Sequence, residues 1–249
     1  MSEVPAGLTA LVTGVTSGIG RATVLELRRL GLGVVAVGRD ATALVELEAE
    51  CGAVPLQADV RDTKALAGAL EGYEIDILVS NAGILSTRAP FQEIDPAEID
   101  AMIDVNLKAP MHLTRLILPG MVARRRGHLI YLGSSGGRAP FPGMGAYGPS
   151  KAGLSLFCDN LRCDLIGTGI RVSEIVPGRV QTSLYKAALG ADGAQAALYD
   201  GYRAIQPENV AQLIATVIGM PDFVDVTRIE VLPTDQIVGG GSMVKAPPR

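Results

Sequence analysis

No stretch of the chain stays apolar for the ~20 residues that a bilayer crossing takes. The opening Met1-Ser-Glu-Val-Pro-Ala-Gly7 has neither the charged start nor the apolar run of a secretory signal. A cytoplasmic protein with no membrane partner is therefore expected. Cysteine is scarce: Cys51, Cys158 and Cys163 are odd in number and lack the spacing of a metal site. Cys158 and Cys163 are five apart, too far round a helix to pair easily, so all three are expected to be reduced and in or near the core, with no metal bound. Basic excess is missing too, the net charge being −4. The lone basic run, Arg124-Arg125-Arg126, stands just before Gly127 and reads as a solvated helix end favoured by the dipole, so no nucleic acid is expected.

What the chain does have is apolar substance. Its 249 residues are 48% hydrophobic and 19% charged, enough to fill the core of one large α/β domain over 1–249 and awkward for two. Leu8-Thr-Ala-Leu-Val12 is a short β-prone run that leads into Thr13-Gly14-Val15-Thr16-Ser17-Gly18-Ile19-Gly20, and a helical pattern follows to Leu30 with Gly31 as its stop. A strand, a glycine turn and a helix bring backbone N–H groups and a positive dipole end against a pyrophosphate. Glycine is needed because a Cβ would keep the backbone off the phosphates.

Gly33 to Gly38 reads as the second strand, and the ribose-binding group is expected at its end, about 20 residues past the glycines. The sequence there is Gly38-Arg39-Asp40. Arg39 suits the extra phosphate of NADP(H), which is favoured; the other reading makes Arg39 an exposed loop cation and gives the ribose to Asp40, leaving NAD(H) open. Apolar runs follow at 53–58, 75–80, 128–132, 170–176 and 227–232, alternating with helical patterns near 62–70, from 96 to 126, and from Tyr147 to Gly167. This alternation predicts a parallel sheet covered on both faces. Asp59-Val60 and Asn81-Ala82-Gly83 close two of the strands, where a carboxylate, a backbone N–H and small residues suit a flat cofactor, although turn chemistry alone also accounts for them. The Ala/Gly-rich segment from Ser183 to about 206, with Tyr185, Tyr199 and Tyr202, interrupts the alternation and reads as a mobile lid.

Reaction chemistry points to Tyr147 and Lys151, four apart on one face of a helix that opens at Tyr147, with Pro149 tolerated in its first turn. A phenol of pKa ~10 needs roughly 4 kcal/mol in favour of the phenolate to titrate near 7. A neighbouring ammonium and a helix N-terminus both act that way. Ser134, thirteen residues upstream at a strand end, can donate to a substrate carbonyl; Ser135 beside it is the alternative that a different loop length would select. Asn106 sits among apolar neighbours in a helical stretch and must find partners, either to pin structure or to serve catalysis.

Taken together, Thr13-Gly14-x-x-x-Gly18-Ile19-Gly20, Asp59-Val60, Asn81-Ala82-Gly83, Asn106, Ser134, Tyr147-x-x-x-Lys151 and Pro177-Gly178 with Thr182 resemble the short-chain dehydrogenase/reductase family over nearly the whole length. Ser80 departs from the family, which more often has asparagine there. The resemblance implies a doubly wound Rossmann fold with a seven-stranded parallel sheet, and a homotetramer or homodimer. It implies Tyr147 as general acid/base, Lys151 lowering its pKa and holding the nicotinamide ribose, Ser134 orienting the carbonyl and Asn106 supporting a water-linked proton relay. It implies cofactor contacts from Gly14, Thr16, Ser17, Gly18, Ile19, Gly20, Arg39, Asp59, Val60, Asn81, Ala82, Gly83, Tyr147, Lys151, Pro177, Gly178, Val180 and Thr182. The segments at 160–164, 167–172 and 230–236 are similar to the NADP-dependent 3-hydroxy acid (serine-type) dehydrogenase branch.

The function expected is interconversion of an alcohol and a ketone or aldehyde on a small-molecule substrate. A cofactor-binding sensor or scaffold without turnover is the rival, since fold does not fix function. Arg138, Phe141, Met144, Arg179 and Tyr185 are candidates for the substrate pocket, and its arginines would suit an anion.

Overall fold

The structure is a computed structural model and describes residues 7–237. The first six residues and the Gly/Pro-rich tail lie outside the described residues. Seven strands, β1 (Thr9–Thr13), β2 (Gly33–Gly38), β3 (Val54–Gln57), β4 (Ile77–Ser80), β5 (Gly127–Leu132), β6 (Ile170–Pro177) and β7 (Arg228–Val231), form one sheet in the order 3-2-1-4-5-6-7. All neighbouring pairs are parallel. Each strand falls on one of the apolar runs read from the sequence.

The crossovers are α1 (Gly18–Arg29), α2 (Ala41–Cys51), α3 (Thr63–Ala69), α4 (Pro96–Ile103), α5 (Ala109–Arg124), α6 (Tyr147–Asp164), the short α7 (Lys186–Leu189) and α8 (Ala191–Leu198), and α9 (Pro207–Ile218). Strand side chains alternate between faces. Ala10 and Val12 therefore pack with Val24 and Leu27 of α1 and Val210 and Ile214 of α9, while Leu11 packs with Leu113 of α5 and Leu154 and Leu161 of α6. The sheet is covered on both faces, which is the doubly wound Rossmann arrangement. The chain leaves β1 towards β2 and β3, then returns to place β4 on the other side of β1. That reversal opens a crevice at the strand C-termini, where ligands bind in open α/β sheets.

Two expectations are corrected and one is extended. The helical stretch 96–126 is two α-helices joined by a π-turn over Asp104–Lys108, and the wider turn carries the fully buried Asn106. The arginine run does close α5 with Arg125 and Arg126 exposed, and it is a clasp as well: Arg126 pairs with the buried Asp76 at 2.7 Å, and Arg124 donates to the carbonyl of Ile75 at 2.8 Å. Arg125 caps α5 in the left-handed region, at φ 52°. Cys158 is buried, but Cys163 is exposed and not part of the core. No described helix is long and apolar enough to cross a membrane.

Candidate active site

At the crevice lies a cavity of about 460 Å³ whose wall is drawn from the C-terminal ends of β1, β2, β4, β5 and β6. The turn after β1 forms one end. Gly14, at φ 71°, sits so close to the β4 turn that a Cβ would come within 2.8 Å of the Ala82 Cα. Ser17 is the N-cap of α1 in extended backbone, with no side-chain cap and no acid in the first turn, so the helix presents its N–H groups to the cavity beside Thr16, Gly18 and Ile19. An uncapped helix start of this kind favours an anionic group. Gly20 does not line the cavity. A Cβ there would lie 2.2 Å from the Gly14 carbonyl oxygen, so its role is to seat α1 on β1.

Past β2 and β3 the wall carries Arg39, Asp59 and Val60. Asp59 is held by Arg61 through Nη2 to Oδ2 at 2.7 Å and Nε to Oδ1 at 3.0 Å, and this pairing brings its carboxyl down to about 2. The Arg39 guanidinium also acts on the Asp59 carboxylate from the cavity wall. Asp40 does not line the cavity; its carboxylate caps α2 by accepting from the Ala43 N–H at 3.2 Å. Geometry thus sides with Arg39 over Asp40 as the group facing a ligand.

Asn81 ties β4 to β1 by donating to the carbonyls of Thr13 at 2.9 Å and Gly14 at 3.1 Å. The Thr13 hydroxyl, which the motif reading left without a role, accepts the N–H groups of Asn81 and Ala82 at 3.1 and 3.0 Å. These bonds hold Asn81, Ala82 and Gly83 in the cavity wall. On the far side Pro177, Gly178, Val180 and Thr182 follow β6. The Ser17 and Ser183 hydroxyls meet at 3.1 Å across the crevice and join the glycine turn to the segment after β6.

Ser134, Tyr147 and Lys151 all line the same cavity. α6 begins at Tyr147, so Tyr147 and Lys151 occupy successive turns; each is 5% exposed. Ser134, not Ser135, faces inward, and its Oγ accepts from the Gly136 N–H at 3.1 Å as the cap of a short 3₁₀ turn over Ser135–Gly137. The expected depression of the Tyr147 pKa is not produced by the protein's own groups. Burial pushes the phenol above its ordinary value, Tyr185 adds to this, and the hydrogen bond with Ser134 opposes it. Lys151 instead donates to the Leu132 carbonyl at 2.7 Å, and burial lowers it to about 8.

Asn106 does not line the cavity. Its side-chain amide forms a two-way pair with Ile84, accepting the N–H at 2.8 Å and donating to the carbonyl at 2.9 Å, and it donates to Ser150 at 3.1 Å. It therefore pins the loop after β4. Both it and Lys151 flank Gly83: a Cβ on Gly83 would be 3.3 Å from the Asn106 Oδ1 and 3.4 Å from the Lys151 Nζ.

Of the five pocket candidates, only Tyr185 lines the cavity. Phe141 and Met144 pack with Leu85, Met102 and Tyr147 in an apolar cluster behind it. Arg179 is turned to the end of α8 and the residues after it, its guanidinium 5.3 Å from the Tyr202 ring centre and donating to the Leu198 carbonyl at 3.2 Å. Ile84, Leu85, Ser86, Val105 and Leu184 line the wall unannounced by any motif. Among them, the Ser86 Oγ is buried and lacks a hydrogen-bond partner among the described residues.

Comparison with known proteins shows the family. The sequence profile of the short chain dehydrogenase family matches residues 8–192. The chain belongs to the short-chain dehydrogenase/reductase family. It is 52% identical over 236 residues to an uncharacterized short-chain type dehydrogenase/reductase of Sinorhizobium fredii, covering 95% of both chains. It is 36% identical over 242 residues to the NADP-dependent 3-hydroxy acid dehydrogenase YdfG of Escherichia coli strain K12, covering 94% of this chain and 98% of that one. The closed form of serine dehydrogenase complexed with NADP+ superposes with a TM-score of 0.91 at 35% identity, over 96% of this chain and all of the other.

Proposed function

We propose that the protein is an NADP(H)-dependent oxidoreductase that interconverts an alcohol and a ketone or aldehyde, with Tyr147 as its general acid/base. The observation that carries this reading is the convergence of Ser134, Tyr147 and Lys151 on one cavity with an uncapped helix N-terminus and Arg39. The donor set fits the cofactor: N–H groups at the start of α1 for the pyrophosphate, Arg39 for the 2′-phosphate, and Lys151 for the nicotinamide ribose. When bound, the nicotinamide supplies or accepts the hydride. The protein's share is to align the carbonyl through Ser134, to move the proton at the Tyr147 hydroxyl, and to keep water away with the apolar wall of Leu85, Val105 and Leu184. Asn106 serves through the loop it holds, one glycine from Lys151.

The relatives named for 3-hydroxy acids and serine support a small hydroxy-substituted substrate, and the unpartnered Ser86 hydroxyl offers such a compound a polar contact. Residues 183–206 act as the lid, supported by the Ser17–Ser183 contact and by Tyr199, whose hydroxyl donates to the Val180 carbonyl at 3.1 Å. Exposed Met111 and Val122 on α5 and Leu156 on α6 support a homo-oligomer assembled through those helices.

The decisive test is Tyr147→Phe. Turnover of a carbonyl panel should fall by about 10²–10⁴, the scale of general acid–base catalysis, with NADPH affinity within a factor of two or three of wild type. Undiminished turnover would refute the assignment of Tyr147. Tight NADPH binding with no turnover of any ketone, aldehyde or hydroxy acid by the wild type would favour the sensor or scaffold instead.

A further inference from the structure

Glu174 lies in the middle of β6, opposite Tyr131 of β5, with its side chain 1% exposed. Acidic side chains are almost never buried this deeply unless paired, and a well-packed apolar residue would often fill such a place at no loss of stability. The pairing is complete on one side. Oε2 accepts from the Ser155 hydroxyl at 2.9 Å and from the Arg228 Nε at 2.7 Å, and Arg228 continues to Asp159 at 3.2 Å. Lys151, Ser155 and Asp159 recur at four-residue steps along α6, so the ladder climbs one helix face from the reaction centre towards the surface.

The other oxygen lies against Gly133. A Cβ on Gly133 would lie 2.4 Å from the Glu174 Oε1, so the carboxylate rests directly against the backbone of a residue in the cavity wall. The residue before it, Leu132, supplies the carbonyl that holds the Lys151 Nζ at 2.7 Å. Arg228, 27% exposed, stands on the outer side of the pair. Within the ion pair Glu174 is the member on the Gly133 side and Arg228 the member on the solvent side.

We propose that Glu174 is a positioning residue of the reaction centre, an anion set behind Lys151 that keeps its ammonium charged in a desolvated pocket. The inference rests on the proposed reaction, in which a cationic Lys151 is the working form. Burial alone pulls Lys151 down, and Glu174 is the leading influence in the opposite sense, followed by Cys158. The other groups around the amine are Tyr147 on its own helix, the Asn106 amide from the π-turn and the Leu132 carbonyl from β5; none is an anion while Tyr147 is protonated. Arg162, Asp159 and Arg228 lie further along the ladder.

The test is Glu174→Gln, which preserves the shape and the contacts to Ser155 and Arg228 but removes the charge. Because protonated Lys151 is the active form, kcat/KM falls as pH rises through its pKa. The alkaline limb should move to lower pH by about one unit, the lower end of the range for a nearby charge. NADPH affinity, measured by fluorescence across the same pH range, should show a midpoint displaced by the same amount. Glu174→Asp keeps the charge but withdraws it by one methylene, so its limb should lie between the other two. A purely structural role would change melting temperature or KM and leave both midpoints in place, and unmoved midpoints in Glu174→Gln would overturn the proposal. If only the aspartate variant folds, a limb at the wild-type position overturns it. If no carbonyl compound is turned over, the binding midpoint still reads Lys151, so failure of the proposed reaction and failure of this inference are told apart.

Discussion

The choice between the two nicotinamide cofactors is a matter of one or two side chains. Arg39 lines the cavity at the end of β2, while the adjacent Asp40 is committed to the N-cap of α2 and Asp59 is neutralised by Arg61. A doubly charged phosphate there would meet the Arg39 guanidinium with the neighbouring carboxylates already engaged, which is the condition for charge-assisted pairing. Arg39→Asp removes the guanidinium and sets a carboxylate where the phosphate would lie. The ratio of kcat/KM for NADPH over NADH should fall by roughly 10²-fold or more, since a lost charge-assisted hydrogen bond and a new repulsion each contribute ~1.5–3 kcal/mol. A ratio unchanged in the variant would remove Arg39 from the account.

Elements decide how closely the glycine turn can approach its neighbours, and glycine positions separate a constrained element from a free one. At Gly20 a Cβ would meet the Gly14 carbonyl oxygen at 2.2 Å and the Asn81 Nδ2 at 2.5 Å, so α1 would have to lift from β1. Gly20→Ala should cost about 1–3 kcal/mol, as overpacking does, and weaken NADPH binding because the N–H groups at the start of α1 move with the helix. Gly68 lies on the exposed side of α3 with nothing within 4 Å of a Cβ, and Gly68→Ala should stabilise by roughly 0.5–1 kcal/mol. Urea unfolding of the two variants should bracket the wild type; equal effects would mean that the close approach at Gly20 is not what the turn needs.

The same scale shows what the sequence could and could not disclose. The five inner strands were legible because a buried parallel strand is a nearly continuous apolar run bounded by turn residues, and the partly exposed edge strands β3 and β7 from their place in the alternation. Most helices were legible from caps and spacing, but α2 gave little signal, since Leu44 and Leu47 are its only buried side chains. The π-turn around Asn106 was invisible, because nothing local distinguishes its spacing from α-helix; it is visible only through the pair Asn106 makes with Ile84. Ser134, Tyr147 and Lys151 were found because a fixed spacing and a strand end locate them. Thr13, Ser86 and Glu174 were missed for the opposite reason: their roles come from contacts between strands or loops far apart in the chain.

The whole molecule responds to pH through groups that its core holds in one state. His128 on β5 is 2% exposed, with Nε2 at 2.8 Å from the Ser173 Oγ and Nδ1 without a partner among the described residues. Burial, with Arg171 acting in the same direction, holds its pKa well below the ordinary value. In the unfolded chain the imidazole titrates near ~6.5. Below that pH the unfolded state takes up a proton that the native state refuses, so stability must fall as pH falls, and above about 7.5 the effect vanishes. Asp59, brought down to about 2, acts with the same sign in a lower window: its stabilising share is present above the unfolded carboxylate value and is lost as pH falls from there through about 2. Between pH 7 and 5.5 the loss assigned to His128 is about 1 kcal/mol, from an unfolded pKa near ~6.5 and ~1.4 kcal/mol per unit. His128→Gln keeps a polar group towards Ser173 and cannot titrate, so its stability should fall about 1 kcal/mol less over that interval. Parallel urea titrations of wild type and variant read the difference directly, and identical pH slopes would show that the strand interior admits a charged imidazole after all.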